Sequence, residues 1–157
     1  MQGTRGEIQR ATLEDAAEIL ALQKLAWQSE AALYSIYDLP PLTETLDEME
    51  ADLEQQVVLK LVDDHRIVGS VTAYEEQGTC HIGRLIVHPD CQNRGLGTRL
   101  LREIEGAFAH ECERYALFTG HKSERNLHLY RKLGYREVRR EPVSEVLTLV
   151  HLEKARA

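Results

Sequence analysis

The 157-residue chain predicts an α/β fold built on a mixed, mostly antiparallel sheet. Three observations predict it. Three β-rich runs between Val57 and His88 are separated only by turn residues. From Cys80 to Glu105 a strand passes through a short glycine-bearing turn straight into an amphipathic helix. Strand and helix patterns then alternate to the end of the chain. The order is strand, two helices, three strands, helix, strand, helix, two strands, giving about seven strands and about four helices in one domain, residues 1–157.

Glu7 to Arg10 reads as a short first strand. Thr12 with Asp15 three residues on matches a capping box that opens a helix running to about Ser29, apolar over a wide arc through Ala16, Ala17, Ile19, Leu20, Leu22 and Leu25. The Pro40-Pro41 pair is expected to end helical continuity. A second helix, Thr43 to Gln55, sets Leu46, Met49 and Leu53 under an acidic outer face. Val57 to Val62 and Arg66 to Tyr74 are strands joined at Asp63-Asp64-His65, and Gln77-Gly78-Thr79 turns the chain into a third, His81 to His88, closed by Pro89.

The helix after the glycine turn places Leu96, Leu100, Leu101, Ile104, Ala107 and Phe108 on one face. Tyr115 to Thr119 is a short strand that a right-handed crossover would set parallel to His81–Val87. Ser123 to Leu133 is a helix ended by Gly134, and Tyr135 to Arg140 with Val146 to Leu152 form a last antiparallel pair. Because Val146, Leu147, Leu149, Val150 and Leu152 put apolar groups on both faces, the final strand reads as an apolar sheet edge in need of cover.

Composition narrows the function classes. Hydrophobic residues make up 43% and charged residues 29% of the chain, as in a soluble globular protein. No apolar run approaches the roughly 20 residues that span a bilayer, and the first residues, MQGTRGEIQRATLEDA, contain no apolar signal core. A cytoplasmic protein without membrane partners is expected. Cys80, Cys91 and Cys112 show neither paired spacing nor a zinc pattern, so neither a disulfide framework nor a metal is expected. A net charge of −7 argues against nucleic acid. Yet Arg84, Arg94, Arg99 and Arg102 surround the glycine turn, and Lys122, Arg125, Arg131 and Lys132 the later helix, which suits an anionic cofactor.

The turn Gln92-Asn93-Arg94-Gly95-Leu96-Gly97 opens a helix whose first amides lack intrahelical partners, and that favours a phosphate there. A dinucleotide fingerprint would need glycine where Leu100 stands, and a P-loop would need Gly-Lys-Ser/Thr where Gly97 is followed by Thr98-Arg99. The remaining pattern, Q-x-x-G-x-G, resembles the acetyl-CoA signature of the GCN5-related N-acetyltransferases (GNAT family). Asn126 to Tyr135, with an asparagine four residues before Tyr130 and a terminal Leu-Gly-Tyr, resembles that family's second signature. The element order is also that of its acyl-CoA N-acyltransferase fold, whose sheet splays between the fourth and fifth strands.

The resemblance implies transfer of an acetyl group from acetyl-CoA to a primary amine of a small molecule or protein. Leu85, Ile86 and Val87 would supply backbone groups to the pantetheine arm. Gln92, Asn93, Arg94, Gly95, Leu96, Gly97 and Thr98 would hold the pyrophosphate, and Asn126 would bond the cofactor. Tyr130 would be the general acid that returns a proton to the thiolate; otherwise it is a packing aromatic. The family position of a basic glutamate is occupied by His81, whose imidazole can accept a proton, with Glu75, Glu76 or ordered water as competitors. Trp27, Tyr34 and Tyr37, with Glu30, Asp38 and Glu44, form an aromatic and acidic set suited to a cationic amine. A homodimer is expected by the same resemblance. The alternative from another class is a non-catalytic acyl-CoA-binding or regulatory module on the same fold.

Overall fold

The computed structural model describes residues 6–156. Its seven strands form one sheet in the order β1-β2-β3-β4-β5-β7-β6. They are β1 (Glu7–Arg10), β2 (Val57–Asp63), β3 (Arg66–Glu76), β4 (Thr79–Val87), β5 (Arg114–Gly120), β6 (Arg136–Pro142) and β7 (Thr148–Ala155). All neighbours are antiparallel except β4 and β5, which run parallel as the crossover required. The two hairpin turns are tight because their central residues take left-handed backbone: Asp64 and His65 at φ 51 and 65, Gln77 and Gly78 at φ 52 and 83.

The helical segments are α1 (Ala16–Ala26), α2 (Gln28–Tyr34), α3 (Pro40–Thr43), α4 (Leu46–Gln55), α5 (Leu96–Ala107) and α6 (Glu124–Lys132). Thr12 and Asp15 do pair, the Thr12 amide donating to Asp15 Oδ2 at 2.9 Å, but they cap a 3-10 turn that leads into α1. The first helix does not stop near Ser29: α2 continues one residue after α1 and ends at Ser35 in the left-handed conformation, φ 56. Pro40 and Pro41 start a helical turn instead of ending one, since proline at the first helical position has no amide to leave unsatisfied. Helix α4 begins at Leu46, fixed by a reciprocal cap: Glu48 N donates to Thr45 Oγ1 at 3.2 Å and Thr45 N to Glu48 Oε1 at 2.9 Å.

Apolar side chains fill both sides of the sheet. On one side Leu96, Leu100, Leu101, Ile104 and Phe108 of α5 pack on Val71, Ala73, Cys80 and Ile82; on the other Ala16, Ile19 and Leu22 of α1 and Met49 of α4 pack on Val58, Ile67 and Ile86. The α1 face is narrower than its composition suggested. Leu25 is 47% exposed while the polar Gln23 is 1% exposed. Ala107, expected on the α5 face, is exposed as well.

The final strand is not an edge. β7 lies between β5 and β6, which is why Val150 and Leu152 are fully buried, and the outer strand is β6. Every residue of β6 is exposed, and its Arg136, Glu137, Arg139, Arg140, Glu141 and Pro142 discourage strand addition. The expected need to cover an apolar edge at the final strand therefore falls away.

A half-buried charge network locks α5 to β5, β7 and the end of α6. Lys154 Nζ sits 2.8 Å from Glu105 Oε2, donates to the Leu133 carbonyl at 3.1 Å and lies over the Tyr115 and Tyr135 rings. Tyr135 OH donates to Glu105 Oε2 at 2.5 Å, and Tyr115 OH to the Glu105 carbonyl at 3.0 Å. Burial, with the nearby thiols and Glu105, pushes the Tyr115 phenol up to about 12. Lys154→Met leaves the Glu105 charge without its partner and is expected to cost about 2 kcal/mol, a fall in Tm of about 4–8 °C by calorimetry. Adding Glu105→Leu should recover part of it; an unchanged Tm in the single variant would contradict this role.

Candidate active site

The turn between β4 and α5 is shaped by backbone conformation. After a 3-10 turn at Pro89–Cys91, Asn93 and Gly95 take φ 64 and 77, so the chain reverses and delivers Leu96, Gly97 and Thr98 as the first turn of α5. Those amides face no preceding turn, and the positive end of the helix macrodipole stands there. A Cβ built on Gly95 would meet nothing within 4 Å, so the space beside this backbone is open. Gln92 is held from two sides: its Nε2 donates to the Val87 carbonyl at 3.5 Å, and its Oε1 accepts from Arg125 of α6. Arg99 points elsewhere, donating to the Gly6 carbonyl at 3.0 Å.

The sheet splays where the pattern implied. Among the described residues β4 and β5 pair over Thr79–His81 against Arg114–Ala116, and from Ile82 onward the β5-facing side of β4 has no strand neighbour there. A bulge deepens the divergence: the β3–β4 register shifts between Ser70 and Thr72, and Arg84 opposite takes φ 49. The resulting cleft is lined by Ile82, Gly83, Arg84 and Leu85 of β4, Leu117, Phe118 and Thr119 of β5, Asn126 and Tyr130 of α6, and Trp27 from the α1–α2 junction.

Four residues singled out in the sequence, Trp27, Leu85, Asn126 and Tyr130, thus meet in one cleft. The Asn126 Nδ2 donates to Thr119 Oγ1 at 3.3 Å and ties α6 to β5. Ile86 buries its side chain against α1 and α4, while Leu85 and Val87 pack towards α5. Tyr34 is buried beside the cleft, its hydroxyl accepting from the Lys122 amide at 2.9 Å against Gly120, where any Cβ would collide with it. Tyr37 is 61% exposed and His81 stacks on Tyr74 at 5.0 Å, both outside the cleft lining.

Tyr130 is 5% exposed. Burial, reinforced by the Glu30 charge, lifts its phenol well above the usual tyrosine value and keeps it a proton donor. Burial likewise raises the Glu30 carboxyl above its usual range, with Ser123 and Arg125 pulling partway back.

A further cluster behind the cleft escaped the sequence reading. Gln23 Nε2 donates at 2.9 Å to both the Pro41 carbonyl and Glu44 Oε1, and Arg84 Nε lies 3.6 Å from that same oxygen. Glu44 Oε2 is buried without a hydrogen bond unless Asp52 carries a proton to give it. Burial, then contact with Glu44, does push Asp52 up to about 7, whereas Asp52, Gln23 and Arg84 together outweigh burial and hold Glu44 below its usual value. The one visible signal was a charged Arg84 beside Gly83 inside an apolar strand, a pattern that marks a bulge.

The sign for stability follows from proton counts. Between the ordinary Asp value of 3.8 and about 7, the native chain holds a proton on Asp52 that the unfolded chain has lost, so this group lowers stability as pH rises through that window. Glu44 contributes stability above its ordinary 4.5 and loses it as pH falls through its depressed value. Asp52→Asn is expected to raise stability at pH 8 by about 1 kcal/mol, discounted for exposure, and to flatten the decline. A lower Tm than wild type at pH 8 would contradict the shared proton.

An open-ended parallel pair, a bulged fourth strand and a glycine turn on a helix N-terminus define an acyl-CoA type of fold, and the comparisons agree. The sequence profile of the Acetyltransferase (GNAT) family matches residues 18–135, and the chain belongs to that family. A GNAT-family acetyltransferase from Streptococcus pneumoniae superposes with TM-score 0.80 at 21% identity, over 98% of this chain and 100% of that one. The PaiA N-acetyltransferase of Thermoplasma acidophilum, solved with coenzyme A, gives 0.81 at 16% identity over 96% and 99%. The acetyltransferase YncA of Salmonella typhimurium, solved with acetyl-CoA, gives 0.77 at 18% over 98% and 95%. The UPF0157 protein YqkA of Bacillus subtilis is 24% identical over 139 residues, 87% of this chain but only 40% of that protein's length.

Proposed function

We propose that the chain is a single N-acetyltransferase domain that moves an acetyl group from acetyl-CoA directly to a primary amine of a small molecule or protein. The observation that carries this reading is Tyr130, protonated and buried, in a cleft that opens where β4 and β5 part. The chain's residues fit the cofactor. The open space at Gly95 and the amides of Leu96, Gly97 and Thr98 suit a pyrophosphate, with Gln92, Asn93 and Arg94 shaping the turn. The unpaired side of β4 at Leu85, Ile86 and Val87 offers backbone donors and acceptors to an extended amide chain, and Asn126 adds a side-chain amide. Acetyl-CoA supplies the activated acyl group when bound.

The protein's contribution is then proton handling and orientation. A cationic amine must lose a proton before it can attack, since free amines have pKa values of about 8 to 10. Trp27 and Tyr34 flank the approach from α2. Tyr130 donates its hydroxyl proton to the departing sulfur. A cytoplasmic location is part of this reading; among the described residues no helix is long and apolar enough to cross a membrane. The homodimer rests on family resemblance, and light scattering at tens of micromolar tests it: a monomeric mass would end it. The other class, an acyl-CoA-binding module without turnover, predicts cofactor binding but no thiol release with any amine.

A further inference from the structure

We propose that Glu30, on the inward face of α2, is the base that takes the proton from the acceptor ammonium. The assignment rests on the acetyltransferase reading above and adds the residue that reading lacks. Trp27, Glu30 and Tyr34 occupy successive turns of one helix face. The first of these lines the cleft, and the last is pinned through its hydroxyl to the Lys122 amide at 2.9 Å, under the turn that leads into α6. Glu30 between them stands beside Ser123 and Arg125 at the start of α6. Two observations agree. Among the described residues, Glu30 is the charge near enough to the buried Tyr130 phenol to oppose its ionisation. Ser123 is 2% exposed, and its side chain stabilises the ionised Glu30 carboxyl, so the two meet at this wall.

The surroundings suit a base. Burial raises Glu30, and a carboxylate with a raised pKa is a stronger proton acceptor near neutrality. The charged and titratable groups around it are Tyr34 on its own helix, whose ring carries His121 and Lys122 against it, and Arg125 and Tyr130 on α6. His81 competes poorly, because its ring is held stacked on Tyr74 at 5.0 Å. In the balanced sequence Glu30 carboxylate accepts one proton from R–NH3+ and later yields it to water. The neutral nitrogen forms the new C–N bond as the C–S bond breaks. Tyr130 gives its proton to sulfur and recovers the second proton of the nitrogen.

Glu30→Gln, nearly isosteric, is expected to lower kcat/KM roughly 10²-fold near neutral pH, with acetyl-CoA affinity by calorimetry unchanged. The defect should shrink as pH approaches the amine's own pKa, where no base is needed; a structural loss would persist at every pH. His81→Ala should keep the wild-type pH profile. A Glu30→Gln variant with wild-type kcat/KM, or a His81→Ala variant that alone loses the acid limb, overturns the assignment. A second readout needs no turnover, so failure of the acetyltransferase reading stays separable. Carboxyl 13C NMR on the unliganded protein should show Glu30 titrating above the usual carboxylate range, with the Tyr130 ring carbon shifting in step. Titration in the usual range, or a silent Tyr130, overturns it.

Discussion

Tyr130→Phe is expected to lower kcat on the order of 10²-fold while leaving the binding constants for acetyl-CoA and amine near wild type. The hydroxyl is the only atom removed. Its ring is 5% exposed and packs at 6.1 Å from that of Tyr135, so phenylalanine keeps the shape of the site. What is lost is a proton held in place by burial, at a phenol whose ionisation the Glu30 charge further opposes. A thiolate leaving without that proton is a poorer leaving group, and the cost falls on the chemical step. Steady-state kinetics read the effect. A variant with wild-type kcat and no pre-steady-state burst would reduce Tyr130 to a packing residue, while a burst would show that a later step hides the chemistry.

Gly95→Val is expected to weaken acetyl-CoA binding at least roughly tenfold, about 1.4 kcal/mol. Two effects add. At φ 77 a β-branched residue is strained whatever space surrounds it, and its methyl groups would project into the open space beside the first amides of α5. Gly106→Ala supplies the control, since its Cβ would also meet nothing within 4 Å but lies at the far end of the same helix. A folded Gly95→Val protein that binds acetyl-CoA like wild type would remove the phosphate site from this turn.

Much of this architecture was legible because its signals are local. The Asp64-His65 and Gln77-Gly78 turns and the Leu96–Phe108 stripe each depend on residues within a few positions of one another, so sequence spacing alone reveals them. The glycine turn and the Asn126–Tyr130 segment are equally local, and they brought the cofactor side of the cleft into view. Strand order is not local. That β7 inserts between β5 and β6 depends on which sheet edge the chain reaches after α6, and alternation of Val150 and Leu152 with Leu149 and His151 fits an interior strand as well as an edge. The acceptor side was opaque for the same reason. Gln23, Asp52 and Arg84 lie on three different elements and Glu44 on the link between α3 and α4, and Glu30 looks like any other acid on an amphipathic helix until Trp27 and Tyr34 fix which way its face turns.

The most direct test is to incubate the purified protein with acetyl-CoA and a panel of primary amines, following release of the coenzyme A thiol. Thiol release that depends on the amine, and that falls on the order of 10²-fold in Tyr130→Phe, is the predicted result. Cofactor binding by calorimetry with no amine-dependent release from any member of the panel, small molecule or peptide, would contradict it and leave a binding module on an acetyltransferase fold.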